Sequence, residues 1–271
     1  MKITNIETFK VAPRWLLLKL ETDDGLTGWG EPVVEGRADT TAAAVNEISQ
    51  YILGADYRNV EDLWQVLYRG GFYRGGPVLS SALSGVDQAV WDIKARALGV
   101  PIYEMLGGKV RDKMSVYSWI DSTTPEEAAA SAADRISHGF KNIKMLGTDA
   151  GGWINDNQAI DKLLAKLSAI RDKIGYNYGI AIDFHGRVHK GTAKTLLKEL
   201  EPYRLLFVEE PLLFDNLEAF TELHRQTNIP LATGERCYTR WDFKRIFQLG
   251  CVDIIQPDLS HAGGISEVRR I

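Results

Sequence analysis

Three short apolar runs in the second half of the chain, within GIAIDFHGR, LLFVEEP and IPLATGER, are each followed by a carboxylate: Asp183, Glu209 and Glu235. Both intervals are 26 residues long. Helical patterns such as Ala193, Leu196, Leu197 and Leu200 lie between the runs, so each interval reads as one strand plus one return helix. Successive parallel strands then carry three acids side by side at their C-terminal ends, which is where α/β barrels keep their chemistry. Three converging carboxylates repel one another unless something positive sits between them, and an all-oxygen donor set favours Mg²⁺ over zinc or copper. Any one of the three, alone, reads more simply as a cap for the next helix. The shared register favours a divalent-metal site. His185 lies two residues after Asp183, so a strand that continued so far would point both side chains the same way. That makes His185 a candidate acid or base.

Composition narrows the alternatives. The chain has 271 residues, 45% hydrophobic and 25% charged, which suits a globular protein with a substantial core and one or two domains. A formal net charge of −4 and a sequence pI near 5.8 speak against a nucleic-acid footprint or an anionic membrane surface. Cys237 and Cys251 are the only cysteines and form no CxxC or metal-ligand spacing. With no charged-then-apolar leader and no long uncharged apolar run, the expectation is a reduced, cytoplasmic compartment and no membrane span.

Residues 2 to 31 predict an antiparallel meander of ITNIETFKV, WLLLKLETD and LTGWGE, with a tight turn at Asp24-Gly25. Helical patterns follow from about 38 to 53 and from 60 to 67. The tandem YRGGFYRGGP, residues 68 to 77, lacks the Lys-Ser/Thr of a P-loop. It reads equally as a mobile basic loop suited to closing over an anionic ligand and as a helix-to-helix connection with solvated arginines. Leu79, Leu83, Val86, Val90, Ile93 and Ala97 mark the buried stripe of a long helix ended by Gly99 and Pro101. From Ser115, the strands VYSWI, NIKML, GIAID, LLFVEE, PLATG and VDIIQP alternate with helices near 125 to 138, 156 to 174, 190 to 200, 215 to 228 and 239 to 249. Six such units without a reversal of order favour a barrel over a doubly wound sheet. A closed barrel needs eight strands, so the expectation is an α+β domain of roughly one hundred residues followed by an incomplete (β/α) barrel.

PRWLLLKLETDDG, GWGEPVVEGRA, YRGGFYRGGP, DQAVWDIK, LGGKVRD, DFHGRVHK, ELEPYR, FVEEP and RWDFKR…QPDLSHAGGI together resemble segments of the enolase superfamily, in its mandelate racemase and muconate lactonizing enzyme group. They look most like those of the galactonate dehydratases and cover essentially the whole chain. The resemblance implies that residues 1 to 113 form a capping domain and residues 114 to 271 a modified, TIM-like barrel. It implies Mg²⁺ held by Asp183, Glu209 and Glu235, His185 as the acid that protonates a departing hydroxyl, and Asp258 as the carboxylate that orients a catalytic histidine and raises its basicity. The implied activity is that of a lyase, removing water from an aldonic acid through an enediolate to give a 2-keto-3-deoxy acid. A small sugar acid is the implied partner, and a homo-oligomer stays open. Another sugar-acid dehydratase, an epimerase and an inactive remnant are the alternatives.

Arg14, Arg69, Arg74 and Lys144 are the cationic candidates for an anionic substrate, with plain solvation as the competing reading of the arginines. In the family pattern, the catalytic histidine and an enolate-stabilising Glu lie beyond Ile271. Leu146 stands where these dehydratases carry Asn and racemizing relatives carry Lys, and Asp121, Ser122 and Thr123 replace a glycine-rich stretch. His261, in the SHAGG loop three residues after Asp258, reads as a lead into the next helix. The expectation for this chain alone is weak Mg²⁺ binding and no dehydration above background.

Overall fold

The computed structural model describes residues 1–147 and 157–271. Strict alternation in WLLLKLET decides the first sheet: Leu16, Leu18 and Leu20 are fully buried and their neighbours are not, so β2 (Trp15–Thr22) turns one face to a core. It pairs antiparallel with β1 (Ile3–Val11) on one side and β3 (Thr27–Gly30) on the other. Helices α1 (Ala38–Ser49), α2 (Val60–Arg69), α3 (Gly76–Leu98) and the short α4 (Ile102–Met105) follow. The apolar face of α3 lies on this sheet, with Val86, Ala89, Val90 and Ile93 meeting Leu18 and Leu20 in one cluster. The helix and β3 touch backbone to backbone, because Gly28 and Gly30 face Ala89 and Gly85. α1 stops short of the expected residue 53, since the chain turns back there to bond Gly54 N–H to Ile3 O and Ile3 N–H to Ala55 O.

The second sheet is parallel throughout. Strands β4 (Tyr117–Ile120), β5 (Asn142–Leu146), β6 (Gly179–Asp183), β7 (Phe207–Glu209), β8 (Leu231–Thr233) and β9 (Ile254–Ile255) stand in chain order. Between them run α5 (Pro125–Ser137), α6 (Asn157–Ile174), α7 (Lys190–Leu200), α8 (Leu217–His224) and α9 (Arg240–Leu249), and α10 (Gly264–Arg270) follows the last strand. Thr124 and Glu127 close a reciprocal capping box on α5, which fixes the start read from Pro125. The expected start of the next helix at 156 lies outside the described residues. α8 is shorter than expected because the Asn216 side chain caps it at Ala219 N–H and Arg225 closes it. β9 keeps only two residues of VDIIQP.

By contacts, the described residues divide into two units. One comprises Met1–Asp112, Gly234–Lys244 and Pro257–Ile271, and the other Lys113–Thr233 and Arg245–Gln256. No helix among the described residues is long and apolar enough to cross a membrane.

In the first unit, α10 is fastened to α3 by a buried carboxylate. Asp87 accepts the Ser266 backbone N–H at 3.0 Å and the Ser266 hydroxyl at 2.6 Å, while Trp91 Nε1 donates to the same hydroxyl oxygen at 2.9 Å. Burial pushes the Asp87 carboxyl up to about 7, against the pull of these hydrogen bonds and of Arg270. In the unfolded chain the same group ionises near its ordinary value of about 3.9. Between about pH 4 and 7 the folded protein therefore holds a proton that the unfolded chain has lost, so stability is expected to fall as pH rises through that window. Asp87→Asn should flatten that slope. Urea unfolding of both proteins at intervals from pH 4 to 7 checks it, and parallel slopes would refute the assignment.

Candidate metal centre and active site

Parallel pairing sets Leu146 beside Asp183 and Asp183 beside Glu209, so two acids end neighbouring strands at one level. Both are buried. Lys144, one turn of the pleat before the end of β5, brings its Nζ to 2.8 Å from Asp183 Oδ2 and 2.5 Å from Glu209 Oε2. Burial works against the ammonium charge, yet the two carboxylates overcome it and hold the Lys144 pKa above its ordinary value. The same Nζ lies over the rings of Tyr117 and Trp119 at 5.8 and 5.5 Å. Gln256, just past β9, donates from Nε2 to Glu209 Oε2 at 2.9 Å. The positive group between the acids here is thus a lysine, not read from the sequence as their partner.

His185 reaches the site differently from the expected strand extension. The strand ends at Asp183, and His185 takes a left-handed backbone with φ of 50°. Its backbone N–H donates to Asp183 Oδ1 at 2.9 Å, a tight side-chain turn that folds the imidazole back until Nε2 lies 3.2 Å from Asp183 Oδ2. The ring stacks on Trp119, with centroids 6.5 Å apart and planes 14° from parallel.

In the other unit, Glu235 borders a cavity of about 320 Å³ that Glu35, Arg236, Tyr238, Asp258 and His261 also line. Arg14, Arg69 and Arg74 are not among its described lining residues. Arg14 lies over the ring of its neighbour Trp15, Arg69 ends α2, and Arg74 lies over Tyr68 in the connection between α2 and α3. Asp258 Oδ1 accepts the Ser260 N–H at 2.7 Å. His261 does more than lead into α10: its Nδ1 pairs with Ser81 Oγ at 2.8 Å, and its Nε2 faces Glu35 and Asp258 at 3.7 and 4.0 Å. Burial, then the charges of Asp258 and Glu35, push the nearby Glu31 carboxyl up.

The sequence model for "Enolase C-terminal domain-like" proteins matches residues 127–271, and that for the "Mandelate racemase / muconate lactonizing enzyme, N-terminal domain" matches residues 4–107. The chain belongs to the enolase superfamily. Among its relatives in the superfamily, a D-galactonate dehydratase of Ralstonia pickettii is 51% identical over 271 residues, spanning 100% of this chain and 71% of that protein. One of Pectobacterium atrosepticum is 52% identical with the same coverage. A crystal structure of a superfamily member from Salmonella Typhimurium superposes with a TM-score of 0.94 at 31% identity, covering 100% of this chain and 76% of that one. An enolase from Agrobacterium radiobacter, with Na and L-malate bound, gives 0.91 at 32% identity over 100% and 70%. The fold is therefore that of the superfamily, an α+β capping domain followed by (β/α) barrel units.

Superfamily dehydratases use Mg²⁺, and the donor set fits it. Asp183, Glu209 and Glu235 can each offer one carboxylate oxygen, and no thiolate or imidazole belongs to the group. Asp183 Oδ2 is buried without a hydrogen-bond partner; Lys144 Nζ and His185 Nε2 face it in poor hydrogen-bond alignment. A carboxylate oxygen left so is suited to a cation. The residues that sequence reading missed here, Trp119 and Gln256, carry no local signal: each meets a residue borne two strands away.

Proposed function

We propose that this chain is an Mg²⁺-dependent hydro-lyase that removes water from an aldonic acid, D-galactonate being the first substrate to test. The observation that carries this reading is the pairing of two buried carboxylates, Asp183 and Glu209, at adjacent strand ends, with His185 turned onto the Asp183 carboxylate. Galactonate dehydratases of about half-identical sequence over the whole chain support it. Asp183, Glu209 and Glu235 would hold the ion. When bound, Mg²⁺ supplies positive charge that stabilises an enediolate and so makes the weakly acidic α-proton removable.

The protein groups then divide the work. A separate base takes the α-proton; the family resemblance gives that part to a histidine oriented by Asp258. His185, carrying two ring protons, donates one to the β-hydroxyl as the C–O bond breaks, and the bonding pair leaves with the oxygen as water. Asp183 Oδ2 pairs with the imidazolium, and the Trp119 ring stacks against it. The enol left behind tautomerises to the 2-keto-3-deoxy acid. The substrate partner is a small sugar acid, and the enzyme belongs to the cytoplasm.

In a full-length version of the protein, which carries the separate base, His185→Asn tests the division. Formation of 2-keto-3-deoxy acid is expected to drop by about 10²- to 10⁴-fold, the ordinary contribution of a positioned acid. Exchange of the α-proton with D₂O should persist. Loss of exchange together with dehydration would make His185 the base instead.

A further inference from the structure

Two charged residues of the first unit, Glu267 and Arg240, take no part in the chemistry above yet are joined by a two-pronged ion pair. Glu267, in α10, is 2% exposed. A buried carboxylate is costly unless strongly bonded. Glu267 is so bonded, by Arg240: Oε1 accepts from Arg240 Nε at 2.9 Å and from the Arg240 backbone N–H at 2.9 Å, and Oε2 accepts from Arg240 Nη2 at 2.7 Å. Arg270 adds a contact to Oε2 at 3.2 Å. A two-pronged guanidinium fork combined with a main-chain bond fixes the backbone of Arg240 as well as its side chain.

Arg240 opens α9 and stands five residues after Glu235. The stretch between them is short and tied down. Cys237 N–H bonds to Gly234 O at 2.9 Å, and Asp242 Oδ2 accepts the N–H groups of Tyr238 and Thr239, both at 3.0 Å. Thr239 and Asp242 thus cap α9 reciprocally, and Glu267 adds to them the first helical N–H, that of Arg240, together with its guanidinium. Its own support is rigid. Asp87 holds Ser266, Trp64 Nε1 donates to Gly263 O at 2.8 Å, and a Cβ on Gly264 would stand 2.5 Å from Asp87 Oδ2. A series of anchors thus runs from α3 through α10 to Arg240 and the turn that bears Glu235.

We propose that Glu267 is a positioning residue for the metal centre: gripping Arg240 by side chain and backbone, it sets the turn that presents Glu235. The inference rests on the reading of Glu235 as a Mg²⁺ ligand. Partners that orient a ligand from behind ordinarily alter metal affinity by about 10- to 100-fold.

Calorimetric titration with Mg²⁺ alone is the test. Glu267→Gln keeps the shape and loses the charge that grips the fork, and its Mg²⁺ affinity is expected to fall about tenfold with its near-UV circular dichroism unchanged. Glu61→Gln removes the outer partner of Arg270 while leaving the Arg240 fork, and should titrate as the wild type does. A folded Glu267→Gln with wild-type affinity overturns the proposal. Should that variant not fold, Arg240→Lys, which keeps the ion pair and loses the fork, is read in the same way. Glu235→Gln separates the two levels of inference: if it binds Mg²⁺ undiminished, the ligand reading fails and the positioning role with it. If Glu235→Gln loses Mg²⁺ and neither fork variant does, the positioning role alone fails.

Discussion

Glu209→Gln is expected to weaken Mg²⁺ binding by at least about 100-fold, beyond the usual effect of a supporting residue. Glu209 is buried, and its Oε2 already bears two donors, Lys144 Nζ at 2.5 Å and Gln256 Nε2 at 2.9 Å. Replacing it by an amide removes a charge from the donor set and leaves Lys144 facing Asp183 alone. The ammonium then repels an incoming dication with less negative charge to offset it. Lys144→Met should act in the opposite direction. It leaves two buried carboxylates without their cation, a situation that typically costs about 3 to 5 kcal/mol, and Mg²⁺ relieves it. Added Mg²⁺ should therefore raise the melting temperature of Lys144→Met more than that of the wild type. Calorimetry on the three proteins decides: equal Mg²⁺ affinity in wild type and Glu209→Gln would remove Glu209 from the ligand set.

The parts of this arrangement legible in the sequence are those repeated along it. The 26-residue spacing shows because a strand and its return helix recur with nearly constant length, and parallel pairing then sets Asp183 beside Glu209. Alternation and helical stripes likewise show the β1–β3 meander and α3. Less legible are features that one segment imposes on another. Lys144 points at the acids because β5 lies beside β6, whereas attention in the sequence falls on Leu146, two residues later. His185 meets Asp183 through a left-handed turn that no strand periodicity encodes. The grip of Glu267 on Arg240 joins residues 27 apart, and the Ser81 contact of His261 spans 180. In the tandem YRGGFYRGGP, Phe72 and Tyr73 are exposed and Arg74 rests on Tyr68, so its chemistry is set by packing that the repeat does not reveal.

Gly30→Ala is expected to be the most damaging small substitution in the capping domain. A Cβ there would stand 1.9 Å from Gly85 O and 2.8 Å from Gly85 C, both main-chain atoms of α3. No side chain can swing aside to make room, so the helix itself would have to lift from the sheet. β3 cannot yield instead, because Gly30 pairs with Leu18, a fully buried residue of the central strand β2. Lifting α3 separates Val86, Ala89, Val90 and Ile93 from Leu18 and Leu20, the middle of this core. Overpacking usually costs about 1 to 3 kcal/mol where side chains can adjust, so about 3 kcal/mol or more is expected where they cannot. That is a large share of a typical stability of about 5 to 15 kcal/mol. Gly28→Ala meets Ala89 O at 2.2 Å and should behave alike. Because one displacement of α3 relieves both clashes, the double variant should cost less than the sum of the two. Gly25→Ala is the contrast: its φ is +81° and nothing lies within 4 Å, so only the left-handed backbone is penalised, at about 1 to 2 kcal/mol. Urea unfolding of the four variants measures these differences. A Gly30→Ala protein no less stable than Gly25→Ala would show that the β3–α3 approach is looser than the backbone contact implies.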